Sequence, residues 1–512
     1  MKRSHLSGIV CTSAVLAMIA AAITPSTVRA GFQWQIVTLQ PPAGNVASSF
    51  AEPGIAFGAN GSALANAATA NTGAPPTVWR SSDSGDSWTR GSDFDTTAAS
   101  TGDADAAIGA DGYFYTLDVG YNPNPPAQPT NPTVLVFRSS DGATWQGPAS
   151  FPPPHGADQP DRPWLFTDPL HAADVDVVHS EGGGNIVLWR SQDHAASFTG
   201  PITVSSGANS QAALALSSRP LFDPTDDQRI FMLYETVTLA GLAATLSASP
   251  PVYEFPMTQI WLAVSTDAGA TWSNHIALDT ASLSGSGLQG GTLGHLLVAS
   301  AVDASGNLYA AFSLRPSGGT ETSIYVIHST DHGTTWSAPA EIATTTKSNV
   351  MPAIAAGRDG ALYVSWYGST DSDYRDSAAS WSEMFAVSAS PLVASPMFDV
   401  SQLTSTPVHV GGIDSAGNVG FNLGANWGLR DFQSLAVDVC GRPHPVWAVD
   451  YGMQAAETAV PDIPCTLPTA APEAGQPWYL VVIGAAATGS VVLARRRQRR
   501  MRGVPHHSSA WS

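Results

Sequence analysis

One short pattern returns five times along this chain, and no other feature narrows the fold as far. It reads SSDSGDSW at Ser81–Trp88, SSDGATW at Ser139–Trp145 (one residue shorter), SQDHAASF at Ser191–Phe198, STDAGATW at Ser265–Trp272 and STDHGTTW at Ser329–Trp336. Recurrence of this kind marks repeated supersecondary units. Ahead of each copy stands an apolar run suited to a strand: TVWR, TVLVFR, NIVLWR, IWLAV and SIYVIH. Interleaved with the copies are seven stretches that read as strand, turn, strand, from PGIAFGANGSALANA at Pro53 to FQSLAVDVCGRPHPVWAVD at Phe432–Asp450. Each unit is therefore four short antiparallel strands, which is the organisation of a propeller blade. No amphipathic helical period of useful length competes with it.

The consensus S/T-x-D-x-G-x-T/S-W resembles the Asp-box, or BNR repeat, of sialidases and related β-propeller glycosidases. The resemblance implies an all-β propeller with four-stranded antiparallel blades over residues 31–460. Seven strand pairs favour seven blades, with six, the sialidase number, as the alternative. The run FQWQIVTL (Phe32–Leu39) is placed to supply the outermost strand of the last blade and close the ring. Closure removes exposed sheet edges. Asp83, Asp141, Asp193, Asp267 and Asp331 are expected to be structural. An Asp and a Ser or Thr can hold a turn through nearby backbone N–H groups, and the glycine suits a positive φ.

Both ends read as targeting segments. Met1-Lys2-Arg3, the apolar Ile9–Ile23 and a cleavage pattern at Val28-Arg29-Ala30 describe a signal peptide over residues 1–30. After a Pro-rich linker at 461–477, residues 478–494 (WYLVVIGAAATGSVVLA) carry no charge and precede RRRQRRMR. That is the pattern of a C-terminal transmembrane or sorting helix with a basic cytoplasmic tail at 495–512. The expected location is extracytoplasmic and surface-anchored. Setting both ends aside removes nine of the 22 basic residues and leaves 13 against 41 acidic ones. So acidic a surface argues against nucleic acid as a partner. Cys440 and Cys465, the only cysteines left once Cys11 is removed, are expected to form a disulfide outside the cytoplasm.

In a propeller the ligand-facing loops enter the first strand of each blade and leave the second, while the repeated turns point to the other face. Sorting the arginines by that rule leaves Arg162, Arg219, Arg315, Arg375 and Arg430 on the upper face. The guanidinium fork suits a carboxylate. Sialidases hold their substrate's carboxylate with three arginines, so the resemblance points to Arg162, Arg219 and Arg430. The sialidase mechanism, a Tyr nucleophile with an acidic partner and an Asp acid/base, directs attention to Tyr367 and Asp161. Arg315, Glu235 and Asp431 are the remaining substrate-binding candidates. The Arg-Ile-Pro motif of sialidases is absent between Gly31 and Ser81; RPW at Arg162 and RPL at Arg219 only echo it. No metal-ligand spacing and no cofactor motif is present in the sequence. The expected protein is a monomeric sialidase-like exo-glycosidase acting on acidic sugars. The alternative is a non-catalytic propeller that binds a glycan or a surface protein.

Overall fold

The computed structural model describes residues 31–40, 50–68, 77–91, 94, 99–121, 133–151, 160–181, 184–206, 212–238, 258–283, 288, 292–293, 297–316, 319–413, 429 and 431–465. The signal peptide, the C-terminal helix and its basic tail, most of the Pro-rich linker and Arg430 lie outside these residues. No helix among the described residues is long and apolar enough to cross a membrane.

Seven antiparallel sheets follow one another along the chain, which settles the blade number at seven. The innermost strands of blades one to three begin at Ala51, Ala99 and Asp161. In blade four the inner edge is split into Ala212–Ser217 and Leu221–Asp223, both paired to the long strand Asp226–Thr238. Blade five is split likewise, with Thr292–Leu293 and Ala299–Val302 on Leu308–Arg315. Blade six begins with Ser348–Ala356, and blade seven with Ser434–Val437. The N-terminal strand Trp34–Leu39 lies antiparallel on Ala455–Pro461, with Trp34 opposite Pro461 and Leu39 opposite Ala456. It is the outermost strand of blade seven, as the sequence led us to expect.

Second strands are buried from end to end, as in Val175–Glu181 and Leu362–Ser369, because a neighbouring blade covers each face. This is why they read as continuous apolar runs and do not alternate. Outermost strands such as Ser273–Asp279 are only partly buried. The core is the set of apolar layers between blades. Leu39, Phe50, Ile55, Trp79 and Val446 join blades seven and one. Leu233, Leu262, Leu308 and Phe312 join blades four and five.

The five repeated turns share one pattern of Asp and Ser bonds, to which two of them add a tryptophan bond. In Ser265–Trp272, the Asp267 carboxylate accepts from the Ser265 hydroxyl (2.8 Å), the Thr271 amide (2.8 Å) and the Thr271 hydroxyl (2.6 Å). The Gly269 amide donates to Ser265 Oγ at 2.7 Å, and Trp272 Nε1 donates to the Gly269 carbonyl at 3.1 Å. Those bonds to Thr271 and Ser265 hold Asp267 down to about 2. Asp83, Asp193 and Asp331 are bonded in the same way, and Asp141 in the one-residue-shorter form. All five are therefore turn-holding residues. Cys440 and Cys465 form a disulfide that ties the chain after the last strand to the lower turn of blade seven.

Candidate functional site

At the start of the innermost strand, four of the seven blades carry a bulge where one residue turns its backbone over. Register slips occur between Ala51 and Gly54, Gly102 and Ala104, Asp161 and Trp164, and Val350 and Ala353. The residues inside these bulges have positive φ without being glycine: Glu52 (52°), Asp103 (55°), Arg162 (53°) and Met351 (55°). L-residues avoid this region, and strain of this kind collects where side chains must be aimed. Here it sends three charged side chains to the mouth of the central channel.

A chain of carboxylates links the blades there. Glu52 of blade one accepts the amide of Asp103 in blade two at 2.7 Å, and Asp103 accepts the amide of Arg162 in blade three at 3.0 Å. One turn of strand lower, Asp105 accepts the amide of Leu165 at 2.9 Å and pairs with the guanidinium of Arg219 in blade four. The Arg162 guanidinium is enclosed by acids. It lies 3.4 Å from Glu52, 3.6 Å from Asp103 and 3.9 Å from Asp161, and it is in direct contact with Asp431 of blade seven. Glu52, Asp103, Arg162 and Asp431 are all buried. Asp161 differs, for its side chain is 45 % exposed. Desolvation in the crowded mouth raises the Asp161 pKa against the pull of Arg162, and the neighbouring Asp103 adds to the rise. Burial likewise raises Asp105, opposed by Arg219.

Beneath the mouth the channel opens into a cavity of about 250 Å³. Trp164 and Phe432, whose rings are 4.8 Å apart, stand on its wall two residues after Arg162 and one after Asp431. Arg219 lies over the Trp164 ring at 5.6 Å, and Gln433 and the inner strands of blades five and six complete the lining.

The structure thus brings together Arg162, Asp161, Asp431 and, next to them, Arg219. It does not bring in the other candidates that it describes. Tyr367 is buried between blades six and seven, where its hydroxyl accepts the Ala448 amide at 2.9 Å, and burial pushes it well above the ordinary tyrosine range. The sequence placed it near the axis; the second strand instead extends past it to Ser369, so it is an interblade residue. Glu235 is also inside a second strand and wholly buried. Arg315 donates to the Tyr374 hydroxyl at 3.0 Å, with Arg375 over the same ring. Arg430 lies outside the described residues.

Glu52 was not among the candidates. Its only signal is Glu52-Pro53, which falls at the position of Arg162-Pro163 and Met351-Pro352 once the blades are aligned. A second feature missed in sequence is a buried pair, His409 Nδ1 with the Asp450 carboxylate at 2.8 Å, joining blades six and seven. As for cations, oxygens of Glu52, Asp103 and Asp431 lie within 4.8 Å of one another, but Arg162 already stands against all three. On the lower face, Asp168, His171 and Asp174 have a similar spacing, with His171 hydrogen-bonded to Asp168 at 3.0 Å.

No protein-family model and no curated protein matches the sequence. Solved structures similar to it include a protein of unknown function from Dyadobacter fermentans, at 14% identity and a TM-score of 0.42, covering 80% of this chain and 93% of that one. A Hadza microbial sialidase is similar at 13% identity and a TM-score of 0.43, covering 70% of this chain and 64% of that one. An ulvan lyase of polysaccharide lyase family 25 is similar at 10% identity and a TM-score of 0.45, covering 80% and 94%.

Proposed function

We propose that the protein is a carbohydrate-active propeller, a glycoside hydrolase working at the channel mouth. The observation that carries this is the contrast between two carboxyl groups on one guanidinium. Asp161 is half exposed, within reach of an incoming leaving oxygen, and its surroundings raise its proton affinity above that of an ordinary aspartate. Asp431 is buried in direct contact with Arg162, and its Oδ1 has no hydrogen-bond partner among the described residues. Glycoside hydrolysis needs such a pair, one carboxyl as acid and one as base or nucleophile, with environments that push their proton affinities apart. In this reading Arg162 is a positioning residue and does not bind the substrate's carboxylate. The same reading places the work outside the cytoplasm, which the Cys440–Cys465 disulfide supports.

The test is a panel of fluorogenic glycosides offered to the whole protein. Turnover is expected, and Asp161→Asn should lower kcat by roughly 10²–10⁴ while changing KM little and removing the alkaline limb of the pH profile. One observation favours the non-catalytic alternative: Arg162 is already satisfied by acids, as it would be in a plug that only holds the blades together. Absence of turnover across the panel, with binding of a glycan retained, would decide for that alternative.

A further inference from the structure

The mouth and the cavity below it have opposite characters, and the contrast defines what enters. Around Arg162 stand Glu52, Asp103, Asp161 and Asp431, so carboxyl groups outnumber the cation four to one. The single guanidinium at the mouth is thus already engaged by the protein's own carboxyl groups. A sugar carboxylate placed there would find acidic neighbours and no guanidinium free to receive it.

Below it, the polar groups on the cavity wall are mostly used within the protein. The hydroxyls of Ser218 and Ser300 bond each other at 2.8 Å, and Ser218 donates to the Leu233 carbonyl at 3.0 Å. The Gln433 amide donates to the Met351 carbonyl at 3.0 Å. Arg219 has its charge matched by Asp105 and its face covered by Trp164. Its side chain is still 30 % exposed, so the rim of the guanidinium is the one cationic edge among the residues that line the cavity. The remaining wall is apolar: Trp164, Leu221, Val298, Ile354, Phe432 and Leu435. A cavity of about 250 Å³ has room for a sugar ring.

We infer that this cavity is the subsite for a single terminal sugar ring that is neutral and of low polarity, a 6-deoxy sugar in preference to a uronic or sialic acid. The inference rests on the glycosidase reading above and extends it from chemistry to substrate class. The ring's apolar face lies against Trp164 and Phe432, a hydroxyl takes the open edge of Arg219, and its glycosidic oxygen stays at the level of Asp161. The deoxy carbon faces the aliphatic side chains of Leu221, Val298, Ile354 and Leu435.

Methyl glycosides in the gluco, galacto and manno series, each with CH3, CH2OH or COO⁻ on C5, separate these possibilities by calorimetry on the whole protein. In the series that binds, the 6-deoxy member should bind at least tenfold more tightly than the carboxylate. Ala299→Leu, which projects into the cavity, should weaken binding at least tenfold; Trp164→Leu is a second variant should the first fail to fold. Tightest binding by the uronate, binding unchanged by both folded cavity variants, or no binding in any series would overturn the subsite. If the parent protein binds the 6-deoxy glycoside as expected but turns over no glycoside, the subsite stands and the hydrolase reading falls.

Discussion

Glu235 sits on the second strand of blade four with both carboxylate oxygens buried and without hydrogen-bond partners among the described residues. Its neighbour Tyr234 bonds Ser205 of blade three, and successive strand residues point to opposite faces, so Glu235 points toward blade five. Burial alone pushes its pKa well above the ordinary glutamate value, so the fold favours the neutral acid. The sign of the pH effect follows. Below the unfolded value the group is protonated in both states and costs nothing extra. As pH rises past that value only the unfolded chain releases the proton, and stability falls by about 1.4 kcal/mol per pH unit until the folded pKa is reached. Glu235→Gln should therefore leave the thermal midpoint nearly unchanged at pH 4 and raise it at pH 8. An equal effect at both values would show that the carboxyl is not neutral in the fold. In sequence Glu235 looked like an upper-face acid, because Tyr234–Glu235 ends an apolar run. Which side of the sheet it faces is decided by pairing, and pairing is not written in the local sequence.

At the scale of the element, the repeated turns do more than close their own blades. The arginine before one turn reaches across to the backbone of the next: Arg80 Nη1 donates to the Asp141 carbonyl (3.1 Å), Arg138 Nη1 to the Asp193 carbonyl (3.2 Å) and Arg190 Nη2 to the Ala268 carbonyl (2.6 Å). Gly269 is where this arrangement is tightest. Its φ is +87°, and a Cβ there would lie 2.5 Å from Arg190 Nη2. Gly269→Ala should cost roughly 1–3 kcal/mol from backbone strain alone, and more if Arg190 is displaced from the buried Asp176 it also holds at 2.8 Å. Chemical denaturation of the variant measures it; a loss below a few tenths of a kcal/mol would mean the turn relaxes freely. The blades were legible in sequence because this chemistry is local, with Ser, Asp, Gly and Trp all within eight residues. The mouth was only half legible. Arg162, Asp161 and Asp431 could be sorted to the right face by position, but Glu52 meets Arg162 across 110 residues, and only ring closure puts them together.

Closure of the whole ring depends on how blade seven is fastened to blade one. The N-terminal strand supplies the hydrogen-bonded edge, and the disulfide holds the chain that follows its partner strand. Arg442 adds a third fastening that repeats, by other means, the arginine contacts of the earlier blades. Its Nη2 donates to the Ser84 carbonyl in the turn of blade one (2.9 Å), its Nη1 to Asp86 (2.7 Å) and its Nε to Asp438 (2.7 Å). Asp438 is wholly buried, and His444 Nε2 lies 3.2 Å from the same carboxylate. Burial raises the Asp438 pKa and the bonds to His444 and Arg442 outweigh it, so the carboxylate is ionised in the fold. Removing the arginine leaves that charge buried with a histidine whose own pKa burial has lowered. Breaking one side of a buried pair costs about 3–5 kcal/mol, and Arg442→Ala should lose that much. Because the contact spans the seam, the loss should fall on the unfolding of the entire ring, with hydrogen exchange accelerated in blades one and seven first. Arg80→Ala, which removes an exposed link between blades one and two, should cost under about 1 kcal/mol. If the two variants lose stability equally, the seam is no different from any other blade interface. The ring would then be held by its apolar layers alone.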